Sequence, residues 1–366
     1  MAKESQNQEP SGTFSEFTRR VWIAIGATVS VVVLVLILWQ LSQVLLLLFA
    51  GTLFAVFLRG LTRPLAARLP VGETATLLIV ILLLLLALTG AGVVLAPSFS
   101  EQINSLVEAL PEAVNSGLDY LEGTSWGSWI MERAPQPGNV ADNGSGIVSN
   151  FFGVFSTALG AVANILFVIV VAIYLAANPE VYRNGVVMLV PQRHRSRAAD
   201  VVDTTSDQLW HWLKGQFLMM VIVGALTTIG LFIAGVPLAL ALGVIAGVFE
   251  FVPIVGPFAA AIPGVLIALA HSPETALYAI IVYLVVQQLE GNVIAPIVMR
   301  EMVSLPPALT LSATIIAGVM FGLPGVLFAT PLALVAVIMI RMIYINSVLG
   351  DDVPPVPEYH KKKRRS

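Results

Sequence analysis

The chain has 366 residues, 57% hydrophobic and 11% charged, with mean hydropathy +0.88 and a formal net charge of −3. That is the composition of an integral membrane protein, and its slight acidity gives no footing for nucleic acid. With no Cys and four scattered His (His194, His211, His271, His360), a disulfide, a thiol nucleophile and a metal-ligand spacing are excluded. No hydrolase, nucleotide-binding or metalloprotease motif is present, so neither an enzyme nor a cofactor is expected.

Residues 1–20 form an N-terminal tail, polar through 1–16 and expected to be disordered. Three spans are predicted within 21–96: Val21–Leu38, Val44–Leu58 and Thr74–Ala96. The first follows Arg19 and Arg20, is flanked by Trp22 and Trp39, and lacks a small-residue cleavage site, so it reads as a retained anchor. Residues 97–150 are the sizeable extramembrane segment. It opens as an amphipathic helix carrying Phe99, Ile103, Leu106, Val107 and Leu110, and passes into a Gly/Pro/Asn-rich stretch at Pro135–Gly146. A fourth span, within 151–178, is ended by Asn178-Pro179. Residues 179–215 are polar and basic, with Val201, Val202, Leu209, Trp210 and Leu213 on one helical face. That face is expected either along the membrane surface or against the protein's own inner side.

Residues 216–345 hold the polytopic core, and 346–366 a tail ending in Lys361-Lys362-Lys363-Arg364-Arg365, read as an orientation signal and anionic-lipid contact. Within the core, Gln216–Ala234 spans, and the apolar run Val236–Leu269 is broken by Glu250-Phe251-Val252-Pro253-Ile254-Val255-Gly256-Pro257. Its arms, Pro237–Val252 and Phe258–Leu269, are 16 and 12 residues long, short of the roughly 20 a spanning helix needs. A re-entrant helical hairpin is therefore expected, with Pro253, Gly256 and Pro257 at its tip. Ala276–Met299 spans back, and a second broken segment follows with Pro324 and Gly325 at its tip.

The two broken segments are related. Adding 71 to the residue numbers of 238–255 gives eight identities in 18 positions, among them Pro253 onto Pro324. Apolar sequence would give about two or three by chance. With the N-terminus in the cytoplasm and both segments re-entrant, 18 of the 19 Lys and Arg lie on the cytoplasmic side, Arg133 alone outside. The first hairpin then enters from outside and the second from inside, which makes an inverted repeat. The fold expected is an all-α integral membrane protein with about eight membrane segments, two of them re-entrant.

An acid inside a membrane points to function, so Glu250 beside the first tip is a candidate to carry a proton, bind a cation or cap a broken helix. Glu290, with Gln287, Gln288 and Asn292, forms a polar band inside a span, suited to transport or ion coupling or to interhelical hydrogen bonding. The tip residues leave helix ends aimed at mid-membrane, where a solute or ion can meet unpaired N–H and C=O groups. Thr310, Ser312 and Thr314 are expected to bond back to their own helix.

The motifs Trp212-Leu213-Lys214-Gly215-Gln216, Glu250–Pro257, Gln288-Leu289-Glu290-Gly291-Asn292 with Pro296, and Gly322-Leu323-Pro324-Gly325 resemble those of the autoinducer-2 exporter family of bacterial permeases. The resemblance covers Val21 to about Ile345 and implies an elevator-like carrier in the inner membrane, homo-oligomeric, with pentamers among its members. It implies export of a small polar solute or signal, or sodium/proton antiport on a monovalent cation. From the residues alone, a passive oligomeric channel and a non-transporting scaffold remain rivals to a carrier whose partners are the lipid bilayer and a small solute.

Overall fold

In the computed structural model every described element is helical. The structure describes residues 40–122, 158–298 and 305–351, residues 353 and 354, and isolated positions between 22 and 37. The expectations for the tail at 1–20, the stretch at 135–146, the loop at 300–301 and the basic run at 361–365 lie outside the described residues. The chain divides into two compact units, Met1–Leu47 and Leu48–Ser366. The first is helical at its described positions except for a turn at Leu41, and apart from Ser42–Leu47 everything below belongs to the second.

Among the described residues, five helices are long and apolar enough to cross a membrane, or six if a bent pair is one span. Helix α1 (Ser42–Ala66) joins α2 (Glu73–Glu122) through a short turn, across which Arg59 reaches Glu73 at 2.8 Å. Helix α2 continues through Pro97 and Pro111. Its 50 residues rise about 75 Å, more than twice the hydrocarbon thickness of a bilayer. The third predicted span and the amphipathic helix expected after it are thus one rod. Its far half is anchored by Leu106, buried beside Leu231, Val236 and Ile267. Gln102 accepts a hydrogen bond from the Ala241 amide at 3.1 Å.

Helix α3 (Ala158–Ala177) stops where Asn178-Pro179 was expected to stop it, and α4 (Pro179–Met188) leaves at 89°. After a turn of 3₁₀ helix, α5 runs unbroken from Arg195 to Ile233. The polar segment and the span after it therefore form a single helix. Its N-terminal half is tied down by charge and packing together. Asp203 accepts from Arg183 at 2.6 Å and Asp207 from Arg63 at 3.0 Å. Leu209, Trp212 and Leu213 are buried against Leu53, Leu334 and Ile338. Most of the amphipathic face predicted for this stretch thus packs on the protein's own helices.

Helices α6 (Ala239–Phe249), α7 (Val255–His271) and α8 (Pro273–Leu289) follow. Helix α8 opens on a well-formed cap: Pro273 takes the first position, and Ser272 Oγ accepts from the Thr275 amide at 3.1 Å. Helix α9 (Pro307–Met339) holds the second broken segment and runs into a π-helical stretch, Ile340–Leu349. Arg197 of α5 donates to the Met342 carbonyl there, at 2.8 Å from Nη2.

Two backbone breaks organise this half. Ile254 has φ 73° and Gly322 has φ 66°, where an L residue is strained. At the first, a Cβ on Gly256 would lie 1.8 Å from the Phe249 carbonyl oxygen, and at the second a Cβ on Gly325 would lie 2.0 Å from that of Ala317. Residues seven or eight apart on an unbroken helix stand more than 10 Å apart along its axis. Only glycine allows either closure, and each lies within three residues of the proline shared by the two repeats.

Helix α6 lies along α5 at backbone contact. A Cβ on Gly247 would meet the Met220 carbonyl oxygen at 2.7 Å and the Gly224 Cα at 3.1 Å. Backbone cannot step aside as a side chain can, so Gly247→Ala is expected to lower the thermal unfolding midpoint, at a cost of about 1–3 kcal/mol. Gly185→Ala on exposed α4 meets nothing within 4 Å and should leave the midpoint unchanged or raise it, by about 0.5–1 kcal/mol of helix propensity. Equal midpoints for the two variants would contradict this packing.

Candidate transport site

The first break places its acid by backbone bonding. Glu250 follows the last residue of α6 and is 2% exposed. Its carbonyl oxygen accepts a hydrogen bond from the buried side-chain amide of Gln216 on α5. A carbonyl freed by the break is thereby satisfied, and the acid is held against α5. Phe251, one residue on, packs edge to face on Trp212 with ring centroids 5.8 Å apart. Two residues of the motif around Gln216 thus serve the tip directly.

The carboxyl group of Glu250 meets that of Glu290 at hydrogen-bonding range, while Glu250 Oε2 is buried with no hydrogen-bond partner among the described residues. Glu290 reaches this position from a local unwinding. Helix α8 ends at Leu289, and Glu290–Ile294 form a π-helical turn before Ala295–Val298. Pro296 explains the turn: it has no N–H for the Asn292 carbonyl, and its ring crowds that oxygen. Such π turns concentrate at functional sites.

The polar band of α8 divides. Gln287 Nε2 donates to Glu290 Oε2 at 3.1 Å, so these two belong together. Gln288 and Asn292 are exposed and bond to each other, Asn292 Nδ2 donating to Gln288 Oε1 at 2.8 Å and to its carbonyl at 3.0 Å. Glu250, Glu290 and Gln287 are brought to one place; Gln288 and Asn292 face elsewhere. Pro253 precedes the strained Ile254, and Gly256 and Pro257 open α7. Pro324 and Gly325 follow the break at Gly322. The second break has no acid, because Phe321 stands 71 residues beyond Glu250. As expected, Thr310 and Thr314 bond back to carbonyls four residues earlier, at 3.5 Å and 2.8 Å.

Beside the acid pair lies a cavity of about 160 Å³ between α5, α6, α7 and α8, with Thr227, Tyr283, Gln287 and Glu290 as its polar lining and Pro257 at the tip. Thr227 is 1% exposed, and its hydroxyl has no hydrogen-bond partner among the described residues; nor has the buried Tyr283 hydroxyl. A Cβ on Gly264 would lie 2.1 Å from that hydroxyl, so Gly264 makes its room. Neither residue was singled out from the sequence. A signal existed for Tyr283, which with Gln287 and Glu290 follows i, i+4, i+7 spacing on one helix face.

Chemically, two carboxyl groups in contact among apolar helices cannot both stand bare and charged. Their repulsion and their desolvation both oppose it. The described ion pairs, at Arg59, Arg63 and Arg183, lie elsewhere. What such a pair can do is share a proton, or exchange it for a cation.

Known proteins similar to this chain carry the names of transport proteins and permeases. YueF of Bacillus subtilis strain 168, named as a proposed transport protein, is 28% identical over 314 residues, covering 82% of this chain and 83% of its own. YrrI of the same organism, named likewise, is 29% identical over 201 residues, 53% of this chain and 56% of its own. PerM of Escherichia coli K12, named as a proposed permease, is 28% identical over 187 residues, 47% of this chain and 52% of its own. The family described as AI-2E family transporter matches residues 28–345, which takes in both breaks, the acid pair and the cavity. The chain therefore belongs to the AI-2E transporter family.

Proposed function

We propose that this protein is a secondary carrier of the bacterial cytoplasmic membrane that exports a small polar solute or signal, coupled to a cation gradient through Glu250 and Glu290. The observation that carries this reading is the contact of the two carboxyl groups at a backbone break inside an apolar helix bundle. In this proposal the segments around Pro253 and Pro324 are inverted re-entrant hairpins within about eight membrane segments. Both termini are cytoplasmic, and the carrier works as an elevator-like homo-oligomer. Intramembrane acids in contact suit coupling because adding or removing one proton or cation changes the pair's charge. The same pair favours a second reading, sodium/proton antiport without an organic solute, since exchange at two carboxyls needs no further ligand.

Flux into proteoliposomes under imposed sodium and proton gradients tests the coupling. The wild type is expected to show saturable flux that follows one of the gradients. Glu250→Gln keeps the shape of the side chain and should assemble normally. Its gradient-driven rate should fall at least tenfold, and its pH dependence should flatten, because the amide neither carries the proton nor supplies the charge. Wild-type rate, pH profile and ion dependence in purified Glu250→Gln would make the residue structural. Non-saturable flux indifferent to the gradients would indicate a channel, and no flux at all a scaffold.

The hairpin proposal has its own test, made clean by the absence of native cysteine. A cysteine placed at Ile254 should react slowly with membrane-impermeant maleimide, at a rate that changes with solute or gradient. If it reacts as fast from the cytoplasm as one placed at Arg195, the segment is a pair of full spans.

A further inference from the structure

The cavity beside the acid pair has a one-sided chemistry that the carrier proposal does not use. Its walls are apolar, from Val223, Ala246, Val265 and Ile280, and the exposed side chains of Phe258 and Leu284 flank it. Its polar groups are confined to Thr227, Tyr283, Gln287 and Glu290. Two of these carry hydroxyls with no protein partner among the described residues.

For Thr227 the missing bond is informative. The buried hydroxyls of Thr62 and Thr314 each donate to the carbonyl four residues earlier, at 2.7 Å and 2.8 Å, and so does that of neighbouring Thr228, at 2.8 Å. This is the ordinary resting place of a helical threonine. Thr227, 1% exposed, forgoes it, although the residue lines the cavity. A buried hydroxyl without a partner is costly enough to be rare, and here a second one, on Tyr283, lines the same space. At about 160 Å³ the cavity is close in size to the roughly 150 Å³ apolar cavity known to admit benzene.

We propose that this cavity binds a small amphiphile: a body of about one six-membered ring against the apolar walls, and a hydroxyl or similar head satisfying Thr227 and Tyr283. The inference rests on the carrier reading only in taking the occupant for the transported solute, and it narrows that solute to one with an apolar face. A polyol bearing hydroxyls all round would leave several unpaired against the walls, each costing about tenfold or more in affinity. A bare monovalent ion would leave most of the volume empty.

The test places one cysteine at Ala261, on the cavity wall, in the otherwise cysteine-free full chain in lipid nanodiscs. It measures the rate of methanethiosulfonate labelling with cyclohexanol or with ribitol added. Cyclohexanol is expected to slow labelling at least fivefold at saturation, while ribitol leaves the rate unchanged. Tyr283→Phe and Thr227→Val keep the side-chain shapes and should each raise the half-protecting cyclohexanol concentration about tenfold. A second cysteine, at exposed Val181 on α4, reports general effects of the alcohol on the bilayer and should keep its rate. Protection by ribitol but not cyclohexanol would overturn the amphiphile assignment. So would no protection by either, equal slowing at Val181, or protection that ignores both hydroxyl deletions. Protection without gradient-driven flux would sink the carrier reading and leave this site standing; flux without protection would do the reverse.

Discussion

The constraint on which the rest depends is the cost of placing two carboxyl groups in contact where water is scarce. An unpaired carboxylate in an apolar interior costs several kcal/mol, and a second beside it adds repulsion. A fold that brings Glu250 to Glu290 must hold both against that cost, and most of the local architecture can be read as the means. Gln216 fixes the backbone at Glu250. Gln287 donates to Glu290. The π turn ahead of Pro296 brings Glu290 into position, and the strained Ile254 turns the chain four residues after the acid.

These supports come from different parts of the chain and converge on one helix, α5. Its C-terminal half packs at backbone distance on α6 through Gly224, Gly243 and Gly247. Its N-terminal half is clamped by Arg63, Arg183 and the Trp212 cluster. Because α5 is continuous from Arg195 to Ile233, its clamped polar end and Gln216 at the first break lie on one helix. The long α2 reaches the same region from the other side, where Gln102 supplies an acceptor for the first turn of α6. That turn follows Leu238, itself at φ 58° and without a side-chain cap.

Much of this could be read in the sequence, and what could not has a physical reason. The breaks were legible because proline and glycine act locally: Pro253 and Gly256 lie within two residues of the break at Ile254, and Pro324 and Gly325 within three of that at Gly322. Asn178-Pro179 was legible on the same ground. Proline also misled. Pro97 suggested a boundary inside α2, yet the helix continues, because packing at Leu106 and the bond at Gln102 favour the unbroken rod. The continuity of α5 was likewise hidden, since a change from polar to apolar composition looks like a boundary whether or not the backbone bends. The two acids were each visible as anomalies in apolar sequence. Their contact was not, because residues forty apart meet only through the packing of α6 and α8 on α5. Thr227 could not be told from Thr228 at all: the difference between them is one hydrogen bond.

If the acid pair is a single coupling device, its members should fail together. The most direct measurement is a double-mutant cycle on gradient-driven flux, comparing Glu250→Gln, Glu290→Gln and the double variant with the wild type in the same proteoliposomes. Two groups sharing one proton or cation predict that each single change removes the coupled flux to the same extent and that the double variant is no worse. Losses that multiply, or a Glu290→Gln protein that transports like the wild type, would show two independent carboxyl groups and contradict the account.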